Sequence, residues 1–90
     1  MTIKLIHLCT KELLISKIEE VSSELGEPDC KLVNPYIVIE PKIADGMMIS
    51  LEPWMSNYTS QDEYMIHSDK ILTIADPKPT LIEKYEALIK

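Results

Sequence analysis

The chain has 90 residues, 46% hydrophobic and 27% charged, with a formal net charge of −6 and no arginine. That length fits one small domain with a thin core, the hydrophobic share excludes intrinsic disorder, and the acidic balance excludes polyanion binding through a broad basic face. No apolar run approaches the roughly 18 residues that cross a bilayer, and Met1-Thr2-Ile3-Lys4 lacks the zones of a signal peptide, so a cytoplasmic protein without a membrane partner is expected.

Ile3–Cys9 is apolar on both alternating faces, as in a strand buried between layers, and Thr10-Lys11-Glu12 breaks it. Leu13–Leu25 supports two readings. Leu14, Ile18, Val21 and Leu25 recur at helical spacing, with Thr10 able to cap the start and Gly26 the end. A strand would instead place Leu13, Ile15, Lys17, Glu19 and Val21 on one side.

Gly26-Glu27-Pro28-Asp29 is a turn by composition and leads into Cys30–Pro41, within which Tyr36–Ile39 is the clearest strand of the chain. Pro35 has no backbone donor, so Asn34-Pro35 should mark an edge or a bulge. After a loop at Lys42–Gly46, Met47–Trp54 alternates as a half-buried strand that Pro53 stops, and Met55–Asp62 is a polar loop. Trp54, Met55 and Tyr58 on this excursion read either as simple packing or as a protein-contact patch.

Glu63–His67 and Ile71–Ala75 are short strands separated by the turn formers Ser68, Asp69 and Lys70. Residues 1–76 thus form a β unit, and residues 77–90 a proline connector followed by a helix predicted over Leu81–Ile89. Its apolar face carries Leu81, Ile82, Tyr85, Leu88 and Ile89, and Thr80 with Glu83 makes a capping box. So short a helix must dock on the sheet or on a neighbouring subunit.

Little here suggests catalysis. His7, His67, Cys9 and Cys30 have no spacing that joins them as nucleophile and base, and Gly26 and Gly46 lie in no phosphate-cradling loop, so no catalytic residue is expected. Cys9 and Cys30 fit no metal-ligand pattern, and cytoplasmic thiols stay reduced, so neither a disulfide, a metal nor another cofactor is expected.

Ile66-His67-Ser68-Asp69-Lys70-Ile71 resembles the second motif of the Sm-like family, in which an apolar strand ends in Ile-Arg-Gly, two polar residues follow, and a strand resumes. Here His67 and Ser68 replace Arg and Gly. The family's first motif, an Asp, then Met-Asn, then an apolar strand, is similar to Asp29, Val33-Asn34 and Tyr36–Ile39, although Asp29 stands one residue farther from the Asn. Lys11 occupies a turn position where the family often has Gly.

The resemblance, to the small divergent type found in cyanophage-like genomes, implies a strongly bent antiparallel barrel of five or six strands with a C-terminal helix. It favours the strand reading of Leu13–Leu25 and a broken or added strand before Glu63. It also implies a homo-oligomeric ring of about five to seven subunits, joined through Tyr64, Ile66, Ile71, Thr73 and Ala75 on the last two strands. Short single-stranded RNA would then meet Asn34, His67 and Ser68 at the pore, Asn34 reading a base edge and His67 stacking or, protonated, meeting a phosphate. The competing structural readings are a turn residue for Asn34 and a strand-end or subunit contact for His67. The alternative function is a scaffolding ring that binds no nucleic acid.

Overall fold

A computed structural model of the protein describes residues 2–39 and 49–89. The loop expected at Lys42–Gly46 and the first residues of the Met47–Trp54 strand lie outside them. The elements are β1 (Thr2–Leu8), β2 (Leu13–Glu20), β3 (Cys30–Ile39), β4 (Ser50–Pro53), β5 (Glu63–Ile66), β6 (Ile71–Ala75) and α1 (Pro79–Ile89), with one 3-10 turn at Ser68–Lys70. All strand pairs are antiparallel, in the order β4-β3-β2-β1-β6, and β5 also pairs with β3. Among the described residues the architecture is mainly β with a C-terminal helix, as expected.

Leu13–Glu20 is a strand despite its helical spacing, because it is hydrogen-bonded on both sides, to β1 and to β3. Two complete ladders outweigh a local preference that spans about 1 kcal/mol per residue. The fourth strand is broken: β4 takes the Tyr36–Ile39 half of β3 and β5 takes the Cys30–Val33 half, end to end along one edge. Closure into a barrel does not occur among the described residues, since β6 pairs only with β1, and β4 and β5 only with β3. The sheet nevertheless curls, because Ile66 and Ile71 from its opposite ends pack against one cluster of Ile6, Leu8, Leu14 and Leu32.

The bulge anticipated at Asn34-Pro35 is the irregular point of the sheet. Ile15 pairs with Tyr36 and Lys17 with Val33, which leaves Ser16 alone opposite Asn34 and Pro35, two residues against one. Asn34 takes φ +52, the left-handed region that Asn tolerates, and Pro35 brings no donor to the gap. The orphaned groups are met by side chains. The buried Ser16 hydroxyl lies 3.1 Å from the Val33 carbonyl and 2.8 Å from that of Lys17. The Tyr85 hydroxyl lies 2.8 Å from the Asn34 carbonyl and 3.1 Å from that of Val33, and accepts the Lys17 N–H at 3.3 Å.

Tyr85 is fully buried and so fastens α1 to the sheet, edge-on to Tyr36 with ring centroids 5.8 Å apart. The helix opens at Pro79, two residues before the expected Leu81, because Pro suits a first turn that needs no N–H, and the Lys78 carbonyl accepts the Leu81 and Ile82 amides. Thr80 therefore lies inside the helix instead of capping it. Leu88, placed on the apolar face by spacing, is 46% exposed.

In the β1–β2 turn, Leu8 N–H donates to the Glu12 carbonyl and Lys11 N–H to that of Leu8, both at 2.9 Å, with Lys11 at φ +74. The backbone at this position is the one glycine adopts most easily. Lys11→Gly is expected to raise stability by about 0.5–1 kcal/mol, and Lys11→Val to lower it, in urea titrations.

Tyr85→Phe should cost about 1–3 kcal/mol by leaving buried backbone groups unpaired, seen as a lower urea midpoint at unchanged m-value. Burial is the main cause that pushes the Tyr85 phenol from 10.0 up to about 12. Its contribution is therefore complete below pH 10 and is lost as pH rises from 10 through about 12, and the phenylalanine variant should lack this alkaline loss.

Candidate functional site

The two stretches that carry the family resemblance meet at one end of the β3–β5 ladder. Cys30 pairs with Ile66, so the next residues outward, Asp29 and His67, lie beside one another. Asp29 is held by its own turn, in which Gly26 takes φ +89 and Val21 N–H donates to the Asp29 carbonyl at 3.0 Å. Its carboxylate grips the start of the 3-10 turn: Oδ1 accepts the Ser68 N–H and Oδ2 accepts the Ser68 hydroxyl, each at 2.7 Å. These two bonds, the hydroxyl's first, then its own backbone amide and last the nearby His67, hold the Asp29 carboxyl below its ordinary value of 3.8.

Ser68 is thus brought to Asp29, a partner that the sequence motif contains but whose role spacing alone left open. Half-buried His67 is the residue before the turn, and its carbonyl accepts the Lys70 N–H at 3.1 Å. The shallow cleft around them is lined by Leu25, Glu27, Asp29, His67, Ser68 and Asp69, in which carboxylates outnumber cations.

Asn34 does not join this group. The four-pair β3–β5 ladder stands between it and His67, which at about 3.3 Å per residue separates them by roughly 15 Å. Asn34 N–H donates to the Asp62 carbonyl at 2.7 Å, and the residue lines a different cleft with Trp54 and Tyr64. The left-handed backbone at the bulge, which sequence spacing cannot show, accounts for an Asn at this point.

The edge residues separate by face. On β5, Ile66 is half-buried against the core and Tyr64 packs edge-on to Trp54, while Met65 is 47% exposed. On β6 the candidate interface residues Ile71, Thr73 and Ala75 do not share one face, because Leu8 pairs with Ile71 and His7 with Thr73, leaving Leu72 as an extra residue. This bulge reverses the faces, so Ile71 packs against the core whereas Thr73 and Ala75 line a groove beside Leu5, His7 and Leu13. The large exposed apolar side chains of β6 are Leu72 and Ile74, at 62% and 49%.

The other reactive side chains are scattered. Cys9 is exposed at the β1–β2 turn and Cys30 is buried, where desolvation, then the nearby Asp29 and Glu20, push its thiol up from 9.0. Among the described residues, no three or more His, Cys, Asp or Glu side chains are placed to hold a metal ion, and no helix is long and apolar enough to cross a membrane.

Ser68→Ala removes one Asp29 bond and keeps the backbone one, so the Asp29 carboxyl should titrate closer to 3.8 in carbon-detected NMR. A depressed carboxylate stabilises above its unfolded value and loses that contribution as pH falls through its folded value. Protection of the Ser68 amide from exchange should therefore fade as pH drops below 3.8, at a higher pH in the variant than in the parent.

No curated protein matches the chain. Residues 1–90 match the sequence profile of a family of unknown function, and the chain belongs to that family, DUF6561.

Proposed function

We propose that this chain is a subunit of a head-to-tail homo-oligomer, Sm-like in plan, that acts as a non-catalytic structural ring in the cytoplasm. The observation that supports this reading is a pair of unlike sheet edges that are unpaired among the described residues, β6 at one end and β4–β5 at the other, bearing exposed Leu72, Ile74 and Met65. Unpaired edges with apolar side chains invite strand addition, and joining one edge to the other on the next copy is a heterologous contact that makes a ring when its rotation closes.

A second reading, short single-stranded RNA held near His67 and Ser68, is favoured by the meeting of both motif stretches at the Asp29–Ser68 contact. Against it stand Glu27, Asp29 and Asp69 in the same cleft, since phosphate attraction relies on cations.

Sedimentation at micromolar concentration should give a discrete oligomer, and the double variant Leu72→Lys with Ile74→Lys should sediment as a monomer with unchanged circular dichroism. A wild-type chain that sediments as a stable monomer rules the ring out. Fluorescence titration with uridine- or adenine-rich oligonucleotides at low salt separates the two readings. If RNA is bound there, His67→Ala should weaken it by about 1–3 kcal/mol, the worth of one stacked base, and Asn34→Ala should not.

A further inference from the structure

A second cleft forms where the edge of β3 passes from β4 to β5. Between those strands the chain leaves the sheet at Trp54 and returns at Asp62, and an opening of about 310 Å³ there has Asn34, Pro35, Tyr36, Trp54, Asp62 and Tyr64 among its lining residues. That volume is at the small end of ligand clefts, which run from about 300 to 1,000 Å³. From this constellation we propose that the cleft binds a compact alkylated ammonium group, such as the trimethylammonium head of choline or of a methylated lysine.

The rings are set in advance. Trp54 donates its indole N–H to Glu12 Oε2 at 3.1 Å and its backbone N–H to the Pro35 carbonyl at 3.1 Å. The Tyr64 hydroxyl donates to the Gln61 carbonyl at 2.5 Å. Trp54 and Tyr64 meet with centroids 5.8 Å apart and planes at 77°, forming a corner of two aromatic rings, and Tyr36 is held edge-on by Tyr85.

Charge selects the ligand. Aromatic faces carry negative quadrupole charge, and an alkylated ammonium is attracted to them without N–H groups that would need acceptors. The Asp62 carboxylate, which has no ion-pair partner among the described residues, adds a full negative charge and repels anions. The chain's net charge of −6 draws cations toward it from a distance. Binding in this cleft requires no assembly, so it stands or falls apart from the ring.

Trp54 is the sole tryptophan, so its fluorescence reports the cleft directly. The full chain is titrated with choline, with a trimethyllysine peptide and its unmethylated counterpart, and with 3,3-dimethylbutanol, the neutral isostere of choline. Saturable change is expected with a trimethylated ligand, weakened about fivefold or more by Asp62→Asn and by Tyr64→Leu, and by a similar factor for the neutral isostere. Asp62→Asn alters an exposed side chain and leaves the Asp62 backbone bond to Asn34 in place, which circular dichroism checks. Tighter binding of the methylated peptide than of choline identifies a protein as the source of the cation, and equal binding identifies a free small molecule. Equal affinity for the neutral isostere, indifference to Asp62→Asn, or no saturable signal from either trimethylated ligand overturns the proposal.

Discussion

The hydroxyl of Tyr85 is the contact on which the rest of the architecture depends. At Asn34-Pro35 the long strand β3 changes direction, and a buried backbone that bends must find partners for the carbonyls it releases. Ser16 from the neighbouring strand and Tyr85 from the helix supply them together. Without the bend, one continuous strand could pair along the whole of β3. With it, the edge is divided between β4 and β5, and the chain between them is free to form the aromatic corner of Trp54 and Tyr64.

The same bend separates the acidic cleft at Ser68 from the aromatic one at Trp54. One lies beyond the outer end of the β3–β5 ladder, where Asp29 holds Ser68, and is acidic and shallow. The other lies at the inner end and is aromatic with a single carboxylate in its lining. A residue cannot serve both, which is why Asn34 belongs with Trp54 and Tyr64 although its sequence position resembles that of a pore residue. Lys31, between them on β3, reaches Glu19 on β2 at 3.5 Å and Glu63 on β5 at 3.6 Å, so it bridges three adjacent strands at mid-ladder.

Much of this architecture was legible in the sequence, and the failures have physical causes. Tyr36–Ile39 and Ile71–Ala75 are β-branched runs bounded by turn formers, and both are strands. Leu13–Glu20 was decided by resemblance, because Leu14 and Ile18 fit a helix as well as a strand until the pairing of both edges is known. The bulge at Asn34-Pro35 could be read from proline chemistry, but the positive φ of Asn34 could not. The bulge at Leu72 leaves no such mark in the sequence, and it divides the candidate interface residues Ile71, Thr73 and Ala75 between two faces. Asp29 was visible as a motif residue, yet only the register of Cys30 against Ile66 reveals that it meets Ser68.

The Tyr85 clamp also bears on how the chain folds as it is made. The groups it satisfies belong to Lys17, Val33 and Asn34, all synthesised well before the helix that carries it. A nascent chain can build β1, β2 and β3 early, but the backbone at the bend stays short of partners until α1 emerges and docks. Such late, long-range contacts slow folding and prolong the exposure of unpaired strand edges. Completion of the bend and coverage of the sheet thus coincide with the arrival of α1, and the nascent sheet is most open to aggregation before Tyr85 has docked.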